Sequence, residues 1–265
     1  MKLFYRKYGS GPPLIILHGL YGSSDNWGTI AKKLGDDFTV YLPDLRNHGQ
    51  SPHSQKHDYD SMRDDLLELA NDLSLKKFFL AGHSMGGKVA ISFALKWPER
   101  LNGLLIADIS PFAYENKSHP AYQQHSNILN SILSVNLDHI TTRAEVEKAL
   151  AQKIGDEKTL GLIMKNLQRT SGTSFTWKIN VLSLLHNLGK IMEGSERKAD
   201  FSRQVTGFPV IFLRGGDSDY LPESDFNDIL HLFPAAEIVD VPGAGHWIQV
   251  DKPDEVIENI RKLLG

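Results

Sequence analysis

Ser84 sits at the centre of Gly82-His83-Ser84-Met85-Gly86. Before it runs an apolar stretch, Phe78-Phe79-Leu80-Ala81, and after it a segment of helical character, Lys88-Val89-Ala90-Ile91-Ser92-Phe93-Ala94-Leu95. Strand, sharp turn and helix in that order are the setting in which G-x-S-x-G makes a nucleophile elbow. The turn forces the serine into a strained backbone conformation, and the flanking glycines let neighbouring backbone pass without a clash. The hydroxyl then stands proud of the sheet, and the Met85 N–H at the helix N-terminus faces any oxyanion that develops. The chemistry predicted is attack on an acyl carbonyl. A glycine-rich turn with an incidental serine would read the same over five residues; the flanks and a histidine downstream favour catalysis.

A serine hydroxyl needs a base within hydrogen-bond reach at neutral pH. Of the 11 histidines, His246 has the most suitable setting, Pro242-Gly243-Ala244-Gly245-His246-Trp247, after the last predicted strand and before the last helix. Small residues there let a loop carry the imidazole back over the sheet edge. His83 is set aside because side chains of neighbours diverge at so sharp a turn, and His53, His57 and His139 lie in polar contexts that suggest solvated side chains. His18-Gly19-Leu20-Tyr21-Gly22 follows the first long apolar strand, at the same sheet edge as the elbow. That loop is placed to give a second oxyanion N–H, from Leu20, with His18 organising the loop. The acid that orients the histidine has candidates in two places. Asp108 ends the run Leu101-Asn102-Gly103-Leu104-Leu105-Ile106-Ala107, and Asp217 and Asp219 follow Val210-Ile211-Phe212-Leu213. The residues alone leave all three open. Asp44 and Arg46, at another strand end, read as an acid and a base bracing a loop.

The elements that must position these groups alternate between apolar runs and helical patterns, the signature of a mostly parallel sheet covered on both faces. Leu14 to Leu17, Phe38 to Leu42, Leu101 to Ala107, Pro209 to Leu213 and Glu237 to Val241 read as strands beside the one before the elbow. Trp27 to Leu34 reads as a short helix. Met62, Leu66, Leu69 and Leu73 make an apolar stripe on a helix over Asp58 to Leu73. Pro253 opens a closing helix to Leu264. From Pro120 to Thr206 the strand signal disappears. Ile128, Leu129, Ile132 and Leu133 give one helical stripe there, Thr142-Arg143-Ala144-Glu145 a capping box, and Trp177 to Leu188 another stripe. An all-helical insertion over the strand ends reads as a cap, since ligands of open parallel sheets bind outside the carboxyl ends of the strands. The predicted division is 1–119 core, 120–206 cap and 207–265 core.

Composition narrows the function classes. A chain of 265 residues, 41% hydrophobic and 23% charged, is ordinary for a soluble globular protein. A net charge of −3 gives no basic footprint for nucleic acid. The absence of cysteine excludes disulfides and thiolate chemistry. No 18-residue apolar stretch and no apolar leader occur, so a cytoplasmic protein without integral membrane association is expected. No dinucleotide fingerprint or ligand-spaced histidine cluster points to a cofactor or metal, and none is expected.

Several stretches together resemble the α/β-hydrolase superfamily, and within it a branch of small bacterial esterases with mitochondrial relatives. They are His18-Gly19-Leu20-Tyr21-Gly22-Ser23 with Asn26, Asp44-Leu45-Arg46-Asn47-His48-Gly49 with Ser51, and Gly82-His83-Ser84-Met85-Gly86-Gly87-Lys88. Asp108-Ile109-Ser110-Pro111, Trp177 with Asn180, Gly215-Gly216 with Ser218 and Tyr220, and Ala244-Gly245-His246-Trp247 continue the match in order over nearly the whole chain. The resemblance implies an α/β-hydrolase fold with a helical cap, and a chain order of serine first and histidine last. It also implies that the acid is the aspartate of D-I-x-P, Asp108. Aligning Pro222 with the superfamily's usual G-x-x-D-x-x-x-P spacing agrees, because Ser218 then fills the common acid slot. One departure is that this chain carries Asp217 and Asp219 at a turn where the branch tends to lack acids.

The expected mechanism is a Ser84-His246-Asp108 triad with Leu20 and Met85 N–H groups as the oxyanion hole, acting on a small acyl ester through an acyl-enzyme. Tyr21, Phe112, Phe175, Trp177 and Trp247 are expected to line an apolar acyl pocket. A serine at the elbow argues against haloalkane dehalogenase and epoxide hydrolase chemistry, where related folds place an aspartate. An acyl-CoA thioesterase is the main alternative, with C–C bond hydrolase and acyltransferase less supported. A non-catalytic hydrolase-fold binding protein is the alternative of another class.

Overall fold

Alternation along the strands sorts the core into two layers. Leu14, Ile16, Val40, Leu42, Phe79, Ala81, Leu105, Ala107, Ile211 and Leu213 face one side of a sheet, and their neighbours Ile15, Leu17, Tyr41, Phe78, Leu80, Leu104, Ile106, Val210 and Phe212 face the other. A strand buried on both faces reads as a continuous apolar run, which is how these segments appear in the sequence. A computed structural model describes residues 1–113, 119–170, 174–194 and 204–265. Its first part runs β1 (Tyr5–Tyr8), β2 (Pro13–Leu17), α1 (Gly28–Leu34), β3 (Thr39–Pro43), α2 (Tyr59–Asp72), β4 (Phe78–His83), α3 (Met85–Lys96) and β5 (Leu101–Ala107). Helices α4 (Pro120–Leu133), α5 (Arg143–Ala151) and α6 (Glu157–Met164) follow, then strands β6 (Leu167–Arg169) and β7 (Phe175–Trp177), then α7 (Val181–His186) and α8 (Leu188–Ile191). The last part is β8 (Val210–Gly215), α9 (Phe226–Leu232), β9 (Ala236–Val241), α10 (Ile248–Asp251) and α11 (Pro253–Lys262).

Among the described residues the main sheet has seven strands in the order β1-β3-β2-β4-β5-β8-β9. Only β1 runs antiparallel, against β3; the other pairs are parallel. Helices α1 and α11 pack on one layer, and α2, α3 and α9 on the other. The strand order reverses between β2 and β4, which opens a crevice at their carboxyl ends. The Leu20 loop and the Ser84 turn leave the sheet there, side by side.

Two features depart from the sequence reading. The antiparallel edge strand β1 has a mixed, half-exposed pattern that carries no strong apolar signal. The segment from 120 to 206 is not all helical, since β6 and β7 pair as a hairpin with Leu167 opposite Trp177. Phe175-Thr176-Trp177 is a run of strand-favouring side chains, and these outweigh the helical spacing that runs on from Trp177. The helix of that stripe begins only at Val181, capped by the Asn180 side chain. Residues 171–173 and 195–203 of the predicted cap lie outside the described residues. Thr142 caps α5 as the sequence suggests, accepting from the Glu145 N–H at 3.3 Å. Glu145 in turn accepts from the Thr141 N–H at 3.0 Å.

Candidate active site

The elbow is built by close backbone approach. Ser84 has φ 52° and ψ −120°, a conformation that costs a non-glycine residue about 1–3 kcal/mol. A Cβ on Gly82 would lie 2.4 Å from the Gly86 carbonyl oxygen, and one on Gly86 would lie 2.6 Å from the carbonyl oxygens of Leu17 and His18. Only glycine fits at either position. The Ser84 N–H is tied to the Ala107 carbonyl at 3.1 Å, so the turn is anchored to the end of β5. Asp108, the next residue of that strand end, also has positive φ, 48°. Nucleophile and acid candidate are thus both held in strained backbone at neighbouring strand ends.

These elements bring three side chains into one relay. His246 Nε2 lies 3.0 Å from Ser84 Oγ, and His246 Nδ1 lies 2.8 Å from Asp108 Oδ2. An ionised carboxylate only accepts, so the Nδ1–H donates to Asp108 and Nε2 is left to accept from the serine hydroxyl. Asp108 is fully buried, accepting also from the Gly215 N–H at 2.9 Å and the Ser218 hydroxyl at 2.5 Å. Ser218 therefore donates to this carboxylate from the end of the neighbouring strand. Asp217 and Asp219 are exposed at the same turn and do not reach His246. His83 Nε2–H donates to the His246 carbonyl at 2.7 Å and thereby holds the backbone of that loop.

The Leu20 and Met85 N–H groups make no hydrogen bond to protein among the described residues. Both are available to an oxyanion. Two buried histidines shape the loop that carries Leu20. His18 Nε2 accepts from the Leu45 N–H at 2.9 Å, and His48 Nε2 accepts from the Tyr21 N–H at 3.3 Å. Burial holds the pKa of His18 and His48 below the ordinary imidazole value, which keeps those ring nitrogens acceptors. Behind them Asp44 accepts from the Ser24 and Gln50 N–H groups, and Arg46 forms a two-pronged bond to Asp65 at 2.6 and 2.8 Å. His57, read from the sequence as solvated, is instead buried beside Met85, with Nε2 3.4 Å from its sulfur; burial lowers its pKa to about 3.

A cavity of about 120 Å³ opens onto Ser84 and His246 and is lined also by Leu20, Tyr21, Tyr220 and Trp247. Its roof comes from α4, through Gln124, His125 and Ile128, and from the start of α6, through Asp156 and Thr159. Tyr21 and Trp247 are where the sequence places them. Phe112, Phe175 and Trp177 do not line this cavity, which corrects the expected acyl pocket. Phe112 is buried within the loop after β5, where its carbonyl accepts from Lys88 Nζ at 2.9 Å, and Phe175 and Trp177 belong to the β6–β7 hairpin. The side chains of α4 and the start of α6 that line this cavity sit in no motif of the sequence, although Ile128 belongs to the apolar stripe that reveals α4. His125 sits one turn before it and bonds the Tyr21 hydroxyl at 3.1 Å. Burial, with the neighbouring His246, lowers the His125 pKa to about 4. Tyr220 was noted only within a matching motif; its ring stacks on the His246 imidazole. A larger cleft, about 570 Å³, lies against Arg63 and Lys88 and touches none of the three relay residues.

Among the described residues no cluster of His, Asp and Glu is arranged to hold a metal ion, and no helix is long and apolar enough to cross a membrane. The sequence profile of the alpha/beta hydrolase fold matches residues 12–253. The sn-1-specific diacylglycerol lipase ABHD11 of Danio rerio is 35% identical over 97% of this chain and 79% of its own length. Esterase YbfF of Escherichia coli is 31% identical over 95% of this chain and 92% of its own. Among solved structures, a marine microorganism esterase superposes with a TM-score of 0.93 at 40% identity, covering 99% of both chains. The chain belongs to the α/β-hydrolase family and is an esterase/lipase-type hydrolase within it.

Proposed function

We propose that the protein hydrolyses carboxylic esters of small acids through Ser84, His246 and Asp108, by way of an acyl-enzyme. The observation that carries this reading is the unbroken relay from Ser84 Oγ through the imidazole to the buried Asp108. Ser84 Oγ bonds to the ester carbonyl carbon while His246 Nε2 takes the hydroxyl proton, and the charge on the carbonyl oxygen meets the Leu20 and Met85 N–H groups. Collapse breaks the bond to the alkoxy oxygen, which leaves as the alcohol with the proton held by His246. Water then gives a proton to His246 and its oxygen to the acyl carbon, and release of the acid restores the serine. Asp108 keeps the imidazole in the tautomer both steps need.

Segments 1–119 and 207–265 form the catalytic core in this reading, and 120–206 the cap that bounds the acyl site. The cavity is far smaller than the roughly 300–1,000 Å³ of a site for a drug-sized ligand, which favours acetyl- to butyryl-sized groups. Polar groups from the cap, Gln124, His125 and Thr159, suit such an acid better than a long alkyl chain. A series of p-nitrophenyl esters from acetate to laurate, with matching acyl-CoA thioesters, tests this. The highest kcat/KM should fall on oxygen esters of two to four carbons. A maximum at laurate would overturn the size argument, and faster turnover of the thioesters would assign the enzyme to acyl-CoA instead.

A further inference from the structure

Hydrogen bonds at Nδ1 and Nε2 fix the edges of the His246 ring, but they resist tilting out of the ring plane only weakly. The loop that carries it, Pro242 to Trp247, gives little lateral support: Gly243 has φ 69°, and Ala244 and Gly245 have almost no side chain. A ring from another loop fills that role. Tyr220 lies over the imidazole with centroids 3.6 Å apart and planes inclined by only 20°, which is van der Waals contact face to face. The other neighbouring rings are farther and tilted, His83 at 4.8 Å and 43°, Trp247 at 5.6 Å and 63°.

Tyr220 is itself anchored to the acid. Its N–H donates to Ser218 Oγ at 3.3 Å, and the same hydroxyl donates to Asp108. Its carbonyl accepts from the Ser110 N–H at 2.9 Å, two residues beyond Asp108. One short loop therefore gives the acid a hydrogen bond and the imidazole a face to rest on. Burial and the Asp108 carboxylate push the phenol up to about 12, so the ring stays neutral at working pH.

We infer that Tyr220 is a positioning residue for the base: its ring holds the His246 imidazole in the one plane that faces Asp108 and Ser84 together. The inference rests on His246 acting as the base. The π face also lies against the positive charge that the imidazole carries after taking the serine proton, an attraction absent in the resting state. Support of that kind acts on kcat rather than on substrate affinity.

Turnover of p-nitrophenyl acetate and the rate of labelling by a fluorophosphonate probe test this in Tyr220→Phe, Tyr220→Leu, Tyr220→Met and, as a control, Ser84→Ala. Tyr220→Phe keeps the stack and should hold kcat within about 3-fold, whereas the Leu and Met variants should lose roughly 10–100-fold in kcat and in labelling rate with KM changed less than about 3-fold. The two aliphatic variants differ in shape, so a folding defect in one leaves the other to report. Wild-type kcat in either, a rise in KM with kcat intact, or an equal loss in Tyr220→Phe would overturn the inference. Hydrolysis surviving in Ser84→Ala would instead overturn the underlying mechanism, whatever the Tyr220 variants do.

Discussion

Asp108, Asp217 and Asp219 carry the same functional group just beyond the ends of the neighbouring strands β5 and β8. Three aspartates were chemically equivalent candidates, and only the resemblance, with Ser218 in the common acid slot, favoured one. What separates them physically is burial and register: Asp108 is fully buried at the end of β5, with Gly215 and Ser218 aimed at its carboxylate. Asp108→Asn should lower kcat by about 10³–10⁴-fold, because the amide favours the wrong imidazole tautomer and cannot stabilise the imidazolium. Asp217→Asn and Asp219→Asn should stay within about 2-fold of wild type, as surface changes away from the chemistry do. Steady-state kinetics on one ester ranks the three, and a severe loss in either later variant with Asp108→Asn active would reverse the assignment. Ser84 and His246 were readable because each sits in a local motif. His125 carries no such mark, and the stretch that holds Tyr220 does not show which ring lies opposite it.

Elements were legible where a single periodicity governed them. The buried parallel strands, the stripe of α2 and the elbow all announce themselves, because one face or both must meet the core. The β6–β7 hairpin was not legible, as strands of three residues are too short to show a period and Trp177 also fits a helical stripe. Phe175 and Trp177 pair in that hairpin with Arg169 and Leu167 and do not line the cavity at Ser84. Backbone crowding at the elbow makes a sharp prediction at this scale. Gly86→Ala puts a methyl group against two backbone carbonyls, which cannot rotate away, and should destabilise the fold by about 2–4 kcal/mol. Urea unfolding measures this, and an unchanged midpoint would mean that the turn relaxes more freely than its packing implies. Gly161→Ala, on the exposed side of α6 with open space around it, should be neutral or slightly stabilising.

At the scale of the molecule, four histidines, His18, His48, His57 and His83, are buried. Burial lowers the pKa of His18, His48, His57 and His83, for His57 to about 3. The unfolded chain takes up protons on these rings near pH 6.5, whereas the native protein excludes them until lower pH, for His57 until about 3. The stability they support is complete above pH 6.5 and is lost as pH falls below it, by up to about 1.4 kcal/mol per pH unit for each ring. Unfolding midpoints should therefore drop between pH 7 and pH 5, above the range where carboxylates titrate. A midpoint that is flat over this interval would show that the rings are protonated in the native state. His18 reads from the sequence as organising a loop and His57 as solvated, because a histidine in a polar stretch looks solvated until the loops fold over it. The layered sheet is visible in the sequence, whereas the shape of the cavity at Ser84 depends on side chains of α4 and α6 that only the folded chain brings together.

The proposed mechanism requires a covalent bond from Ser84 Oγ to the acyl carbon. Brief mixing with p-nitrophenyl acetate, an acid quench and mass spectrometry of the digested protein would read it directly. One acetyl group is predicted on the peptide containing Ser84 in the wild type and none in Ser84→Ala. The same acetyl group on another residue, or full turnover with no acetyl on Ser84, would contradict the mechanism.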